Sequence, residues 1–261
     1  MRVTNRVVIV TGASSGIGEA TAKAFGARGD RVVLVARRED RLRQLAASLP
    51  QSLPLPADLA KTDEAFRIVE AVVARYGQVD VLVNNAGVGQ YNWVDALQPE
   101  DIKAEVALNL VAPIMLTRAV APAMLRRGRG VVINVSSIAG LIGTPTTAVY
   151  NATKFGLRGL TEALRRELQP QGIAVCGIYP ATVEGTEFRQ NRRANTGYLM
   201  PRWLRLSTAQ VAQAIVTLAD RPRAFVVLPP IFRVAILLNT LAPGLIDRLA
   251  ARMVRSKRTP T

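Results

Sequence analysis

The 261-residue chain contains no histidine. That removes the commonest general base and the commonest metal ligand, so Ser-His-Asp catalysis and histidine-built metal sites are excluded. Acid–base chemistry must fall to tyrosine, lysine, aspartate or glutamate. There is one cysteine, Cys176, inside the apolar run "IAVCGIYP". A disulfide framework is therefore excluded, a reducing compartment fits, and the thiol reads as a small core side chain. Acidic residues are few: 19 against 34 basic ones, a net charge of +15. Residues 186–261 carry 13 basic and 3 acidic side chains, which is +10 of that total. Such a balance favours anionic partners such as acidic lipid, an acyl carrier protein or a phosphorylated cofactor. Nucleic acid would rest on charge alone and is not expected. Long apolar runs are also missing. The longest uninterrupted one, "AFVVLPPIF" (224–232), has nine residues and is too short to span a bilayer. The opening "MRVTNR" leads into a strand with no apolar signal core, so a cytoplasmic location is expected.

What is present is a regular alternation. Short β-branched runs begin at residues 6, 31, 52, 79, 130, 173 and 224, with helical patterns between them. The runs are apolar throughout, as expected of parallel strands covered on both faces. The prediction is a doubly wound, three-layer α/β (Rossmann) sandwich with a seven-stranded, mainly parallel sheet. Residues 1–228 form one catalytic domain in this reading. Residues 186–206 are a basic insertion, and residues 229–261 are a tail beyond the last strand.

"TGASSGIG" (11–18) joins the first strand to the first helix. Its glycines permit a tight turn and close backbone approach, and the helix start offers free N–H groups to a pyrophosphate. Gly12, Ser14, Ser15, Gly16, Ile17 and Gly18 are the expected contacts. The spacing G-x-x-x-G-x-G departs from the general dinucleotide fingerprint G-x-G-x-x-G. The second strand ends "VVLVARRED". An acid placed there would bind a ribose 2′-hydroxyl and repel a 2′-phosphate. Here Ala36 stands in that place and Arg37 and Arg38 follow, so NADP(H) is favoured over NAD(H).

Further motifs follow in order: "NNAG" (84–87), "NVSS" (134–137) and "YNATK" (150–154). Together with TGxxxGxG they resemble the short-chain dehydrogenase/reductase family, closely over residues 5–190 and more loosely to 228. Tyr150 and Lys154 lie four apart on one helix face. A lysine ammonium beside a phenol favours the phenolate and lowers a pKa that is ordinarily about 10. Tyr150 then exchanges a proton with a carbonyl or alcohol oxygen. The strand alternation leaves Ser136 and Ser137 both open as the substrate-holding hydroxyl. The resemblance selects Ser137, thirteen residues before Tyr150, and leaves Ser136 structural. It also implies that Asn109 of "ALNL" binds a relay water and that Lys154 reaches the ribose. Asp58 and Leu59 are implied on the adenine side, Asn84, Ala86 and Gly87 along the adenosine half, and Pro180 and Val183 beside the nicotinamide. The chain departs from the family's P-G-x-V-x-T: it reads "PATVEGTEF", with Ala181 for glycine and the threonine one place late at Thr186.

The substrate class is less constrained. The chain lacks the glycine-rich ending of many 3-oxoacyl-[acyl carrier protein] reductases. In its place "IFRVAILLNTLA" (231–242) and the basic "LIDRLAARMVRSKR" (245–258) form an amphipathic tail. This ending suits an anionic membrane surface, a partner subunit of a homodimer or homotetramer, or a lid over the substrate. The leading expectation is an NADP(H)-dependent enzyme interconverting a lipophilic carbonyl and alcohol. The insertion bearing Phe188, Tyr198, Met200 and Trp203 is expected to close over the substrate. The alternatives are a 3-oxoacyl-carrier reductase and a non-catalytic nucleotide-binding protein.

Overall fold

A computed structural model describes residues 5–187 and 200–255. Seven strands form a single sheet: β1 (Val7–Thr11), β2 (Arg31–Ala36), β3 (Ser52–Pro56), β4 (Val81–Asn84), β5 (Gly130–Val135), β6 (Ile173–Pro180) and β7 (Phe225–Leu228). Their order is β3-β2-β1-β4-β5-β6-β7, and every pairing is parallel. Chain direction across the sheet reverses between β1 and β4. A ligand crevice opens outside the carboxyl ends of the strands at such a switch point.

Alternate residues of each strand enter opposite layers. Val8, Val10, Val32, Leu34, Val81 and Val83 pack with residues of α1 (Gly16–Gly26) and α7 (Thr208–Asp220). Val7, Ile9, Val33, Val35 and Leu82 pack with α3 (Glu64–Tyr76) and α5 (Ala112–Arg127). The strands are apolar throughout because both faces are covered. Helix α2 (Glu39–Ala47) follows β2, and α4 (Pro99–Val106) leads through a wide π-turn (Ala107–Val111) into α5. Helix α6 (Ala148–Leu168) buries Tyr150, Thr153, Lys154, Leu157, Thr161 and Leu168, one stripe at helical spacing.

The helical run 99–127 is long and apolar enough to cross a membrane by length and composition, with 39% of its apolar window buried. Counting only uninterrupted apolar residues overlooked it, because its few polar side chains break the run without breaking the helix. Its inner face, Ala112, Leu116, Val120 and Met124, lies in the sheet-facing core. Beyond β7 the chain forms α8 (Phe232–Leu241) and α9 (Pro243–Arg255). Phe232 and Ile236 of α8 pack against Leu141, Tyr179 and Val227.

Candidate active site

The turn after β1 is built for close approach. Gly12 and Gly16 have φ of +67° and +58°, a region that L side chains avoid. A Cβ on Gly18 would lie 2.1 Å from the Gly12 carbonyl oxygen. Ser15 takes the N-cap place of α1, yet its hydroxyl makes no cap hydrogen bond, so the backbone N–H groups of the first turn have no side-chain acceptor there. Two residues that sequence reasoning passed over hold this turn to the next strand. The Thr11 hydroxyl accepts from the Asn85 and Ala86 amides at 2.9 and 3.0 Å, and the Asn85 side chain donates to the Thr11 carbonyl at 2.8 Å. This bare cradle with an open helix start fits a dinucleotide pyrophosphate.

Arg38 lies across the turn. It donates to the Ser14 hydroxyl at 3.0 Å and to the Ser15 hydroxyl at 2.8 Å. Its other terminal nitrogen meets the Glu187 carboxylate at 2.7 Å, which also binds Arg41. Both arginines hold the Glu187 carboxyl below its ordinary range. Arg37 points elsewhere, into a shallow cleft of about 370 Å³ with Ala57, Asp58 and Lys61. The two arginines expected to act together are thus divided between the turn and the cleft beside Asp58.

Other implied cofactor contacts sort differently. The Leu59 side chain belongs to the core. The Asn84 amide is buried and donates to Asn134 Oδ1 at 2.8 Å; Asn134 in turn donates to Thr161. That side chain ties β4 to β5 and α6 instead of facing the crevice. Ala86 and Gly87 follow at the crevice edge, where a Cβ on Gly87 would lie 3.0 Å from Asn109 Oδ1 and 3.7 Å from Lys154 Nζ. Pro180 ends β6, and its carbonyl accepts from the Ser137 hydroxyl at 3.4 Å. Val183 bridges to Leu206. Thr186 packs over Gly16, with its methyl 3.3 Å from where a Cβ would sit.

Ser137, Tyr150, Lys154 and Asn109 converge. Ser137 caps a short turn, accepting from the Ala139 amide at 3.1 Å, and hydrogen-bonds the Tyr150 phenol. Ser136 is turned the other way and donates to the Lys154 carbonyl at 3.2 Å, a structural role. Lys154 is 4% exposed and donates to the Val135 carbonyl at 3.0 Å; its Nζ lies 5.7 Å from the Tyr150 ring centre. Asn109 sits in the π-turn, bonded to both backbone groups of Val88 at 2.8 and 2.9 Å. One electrostatic expectation is reversed. Burial pushes the Tyr150 phenol above its ordinary pKa, with Tyr91 and Glu105 adding to the rise, and the Ser137 hydrogen bond only partly opposes them. The same burial pulls the Lys154 ammonium down to about 8, so it no longer outweighs desolvation of the phenolate.

Glu105 is a third residue that sequence reasoning missed. It is fully buried on α4, and burial pushes its carboxyl up to about 7. The available signal was its place one turn before Asn109 on the same helix face. Of the insertion, Met200 is buried and Trp203 is 75% exposed; Phe188 and Tyr198 lie outside the described residues.

The family model for short chain dehydrogenases matches residues 6–197. The chain is 32% identical to a bovine dehydrogenase/reductase SDR family member 7B, over 98% of this chain and 83% of that protein. It is 33% identical to a 3-oxoacyl-[acyl-carrier-protein] reductase of Synechocystis, over 74% of this chain and 79% of that one. A solved metagenomic short-chain oxidoreductase in complex with NADP superposes with a TM-score of 0.75 at 33% identity, covering 87% of this chain and 97% of that chain. With its glycine turn at the switch point of a parallel sheet and Ser137, Tyr150 and Lys154 gathered beyond the end of β5, the chain belongs to the short-chain dehydrogenase/reductase family.

Proposed function

We propose that the chain is an NADP(H)-dependent oxidoreductase that interconverts a lipophilic carbonyl compound and its alcohol. The observation that carries this reading is the Ser137–Tyr150 hydrogen bond with the Lys154 amine buried beside it, next to the glycine turn that Arg38 crosses. Gly12, Ser14, Ser15, Gly16, Ile17 and Gly18 would hold the pyrophosphate, and Arg38 and Ser14 the 2′-phosphate. The bound nicotinamide supplies or accepts a hydride. Ser137 holds the substrate oxygen. Tyr150, kept neutral by burial, gives that oxygen its proton during reduction and takes it back during oxidation. Lys154 offsets the negative charge left on the phenol, and Asn109 fixes the strand end around Val88. Support for the phosphorylated cofactor also comes from the NADP held by the metagenomic relative.

The test is a screen of aliphatic, aromatic and steroid carbonyls by nicotinamide absorbance. Tyr150→Phe should lower turnover by about three orders of magnitude or more, the scale of a lost general acid. Full turnover in that variant rules the mechanism out. A 3-oxoacyl-carrier reductase is the second reading, favoured by the Synechocystis relative and the +15 charge. It predicts preference for carrier-linked 3-oxoacyl groups over free carbonyls in the same screen.

Two further proposals concern partners. Ile114 of α5 and Phe155 of α6 are exposed, which supports a homo-oligomer joined through these helices. The tail supports contact with an anionic membrane surface, consistent with a lipophilic substrate reaching the crevice from the lipid side and a cytoplasmic enzyme held at that surface.

A further inference from the structure

Lys154 presents a physical problem that the family motif does not solve. Its ammonium is 4% exposed, and a carbonyl, Val135 O at 3.0 Å, accepts one of its protons. A carbonyl does not neutralise a buried cation, and an unpaired buried charge is costly. Among the described residues, one carboxylate acts on it: Glu105.

Glu105 presents the reverse problem. It stands at the C-terminal end of α4, which packs against α6, and none of its surface reaches solvent. Oε2 accepts a long hydrogen bond from the Gln90 amide at 3.4 Å, and Oε1 has no hydrogen-bond partner. A carboxylate in a core helix face, with an oxygen left unsatisfied, would be replaced by an apolar residue without loss unless its charge had a use. The charged and titratable groups around it are Lys154 and Tyr150 from α6, Tyr91 stacked on Tyr150 from the segment after β4, and Asp101 one turn back in α4. Lys154 is the one cation among them.

We propose that Glu105 is the internal counter-ion of Lys154, a positioning residue that keeps the amine charged inside the closed site. The inference deepens the proposed carbonyl–alcohol reading and rests on it only for its catalytic consequence. Each group carries the sign that the other requires. Lys154 lowers the carboxyl pKa and Glu105 raises the amine pKa, both against the larger effect of burial. Burial pulls the amine down to about 8 and pushes the carboxyl up to about 7, so each group depends on the other to hold its charge near neutral pH. With the pair intact, an ammonium faces the phenol as the phenol releases its proton. With Glu105 neutral, burial alone acts on Lys154 and the amine loses its proton at lower pH.

The chain has five lysines, Lys23, Lys61, Lys103, Lys154 and Lys257, so labelled-lysine NMR can follow Lys154 directly in the full-length protein. Lys154→Met identifies the resonance. Glu105→Gln should move the Lys154 midpoint down by about one unit, the scale of a neighbouring opposite charge. The reciprocal measurement follows the Glu105 carboxyl in Lys154→Met, where its midpoint should rise, since coupling acts equally in both directions. This second arm decides the matter if Glu105→Gln fails to fold. Midpoints unmoved in either variant overturn the proposal, whereas a purely structural role for Glu105 would lower stability and leave the lysine titration in place. Tyr150→Phe turnover separates the two ideas. An unmoved lysine beside an inactive Tyr150→Phe sinks the counter-ion alone. A moved lysine beside an active Tyr150→Phe sinks the carbonyl–alcohol mechanism alone.

Discussion

At Arg38, one guanidinium serves two purposes. It bonds Ser14 and Ser15 across the turn and also holds Glu187, so a carboxylate of the insertion stands on the group that would receive a 2′-phosphate. A phosphate makes the stronger bidentate partner. Arg38→Ala should therefore raise the KM for NADPH by about 10- to 100-fold, the range of a charge-assisted pair of ~1.5–3 kcal/mol, and leave the KM for NADH nearly unchanged. Initial rates with both cofactors check it, and equal losses would assign Arg38 to holding the turn. Glu105 makes a different residue-scale prediction, about stability. Its folded pKa, near 7, lies above its ordinary 4.5. The folded state therefore binds the proton more tightly, and the associated stability is complete below pH 4.5 and lost as pH rises through 7. The size is on the order of 3 kcal/mol at full ionisation. Glu64, Glu187 and Asp220 have lowered values, so their contributions fall away on the acid side, below the ordinary carboxylate range. Denaturant melts between pH 4.5 and 6.5, below the range in which Lys154 releases its proton, should show falling stability in the native chain and a flat response in Glu105→Gln.

The strand–turn–helix unit formed by β1 and α1 shows which elements sequence can reveal. Its strand is a run of β-branched residues, its turn is three glycines, and its helix is periodic. Each signal is local, so element type and order could be read directly. Parallel pairing followed from the apolar strands. Tyr150 and Lys154 were equally legible, because four residues on a helix fix a shared face. The features that escaped are long-range. Nothing local shows that Arg6 is buried against Asp30, 24 residues on, with Asp220 at its other side. Nothing in "NNAG" distinguishes Asn84, turned into the interior network with Asn134, from Asn85, which ties the turn. Burial of Tyr150 and Glu105 is likewise set by the packing of α4 on α6, so the direction of the phenol shift was not readable from a four-residue spacing. Gly18 tests the turn as an element. With 2.1 Å between a would-be Cβ and the Gly12 carbonyl, Gly18→Ala must displace the helix start. Such overpacking costs about 1–3 kcal/mol. NADPH fluorescence titration should show affinity falling by at least about tenfold, and a variant that binds normally would mean that the turn can give way.

For the whole molecule, the unresolved balance is between charge and exposed apolar surface. Val234, Leu237, Leu238, Leu241 and Leu245 are 50–73% exposed along one stripe of α8 and α9, while Phe232 and Ile236 on the opposite side anchor α8 beside Leu141. Leu141 follows the turn that Ser137 caps, so the inner side of α8 packs beside that turn and the stripe faces away from it. The same segment, 229–261, carries six basic residues, Arg233, Arg248, Arg252, Arg255, Lys257 and Arg258, against one acid, Asp247. An apolar stripe in a segment this basic suits the boundary of an anionic bilayer, where each basic side chain near the surface contributes about 1 kcal/mol. A subunit interface would need the arginines neutralised by acids of a second copy, and this chain has few. The full-length protein should co-sediment with vesicles containing phosphatidylglycerol and much less with pure phosphatidylcholine. Binding should weaken from 50 to 500 mM salt, because the screening length falls to a few ångströms. Leu237→Asp with Leu241→Asp should abolish it while NADPH binding persists. If those substitutions instead halve the mass seen by light scattering, or if vesicle charge makes no difference, the stripe belongs to a partner subunit and the lipid reading is wrong.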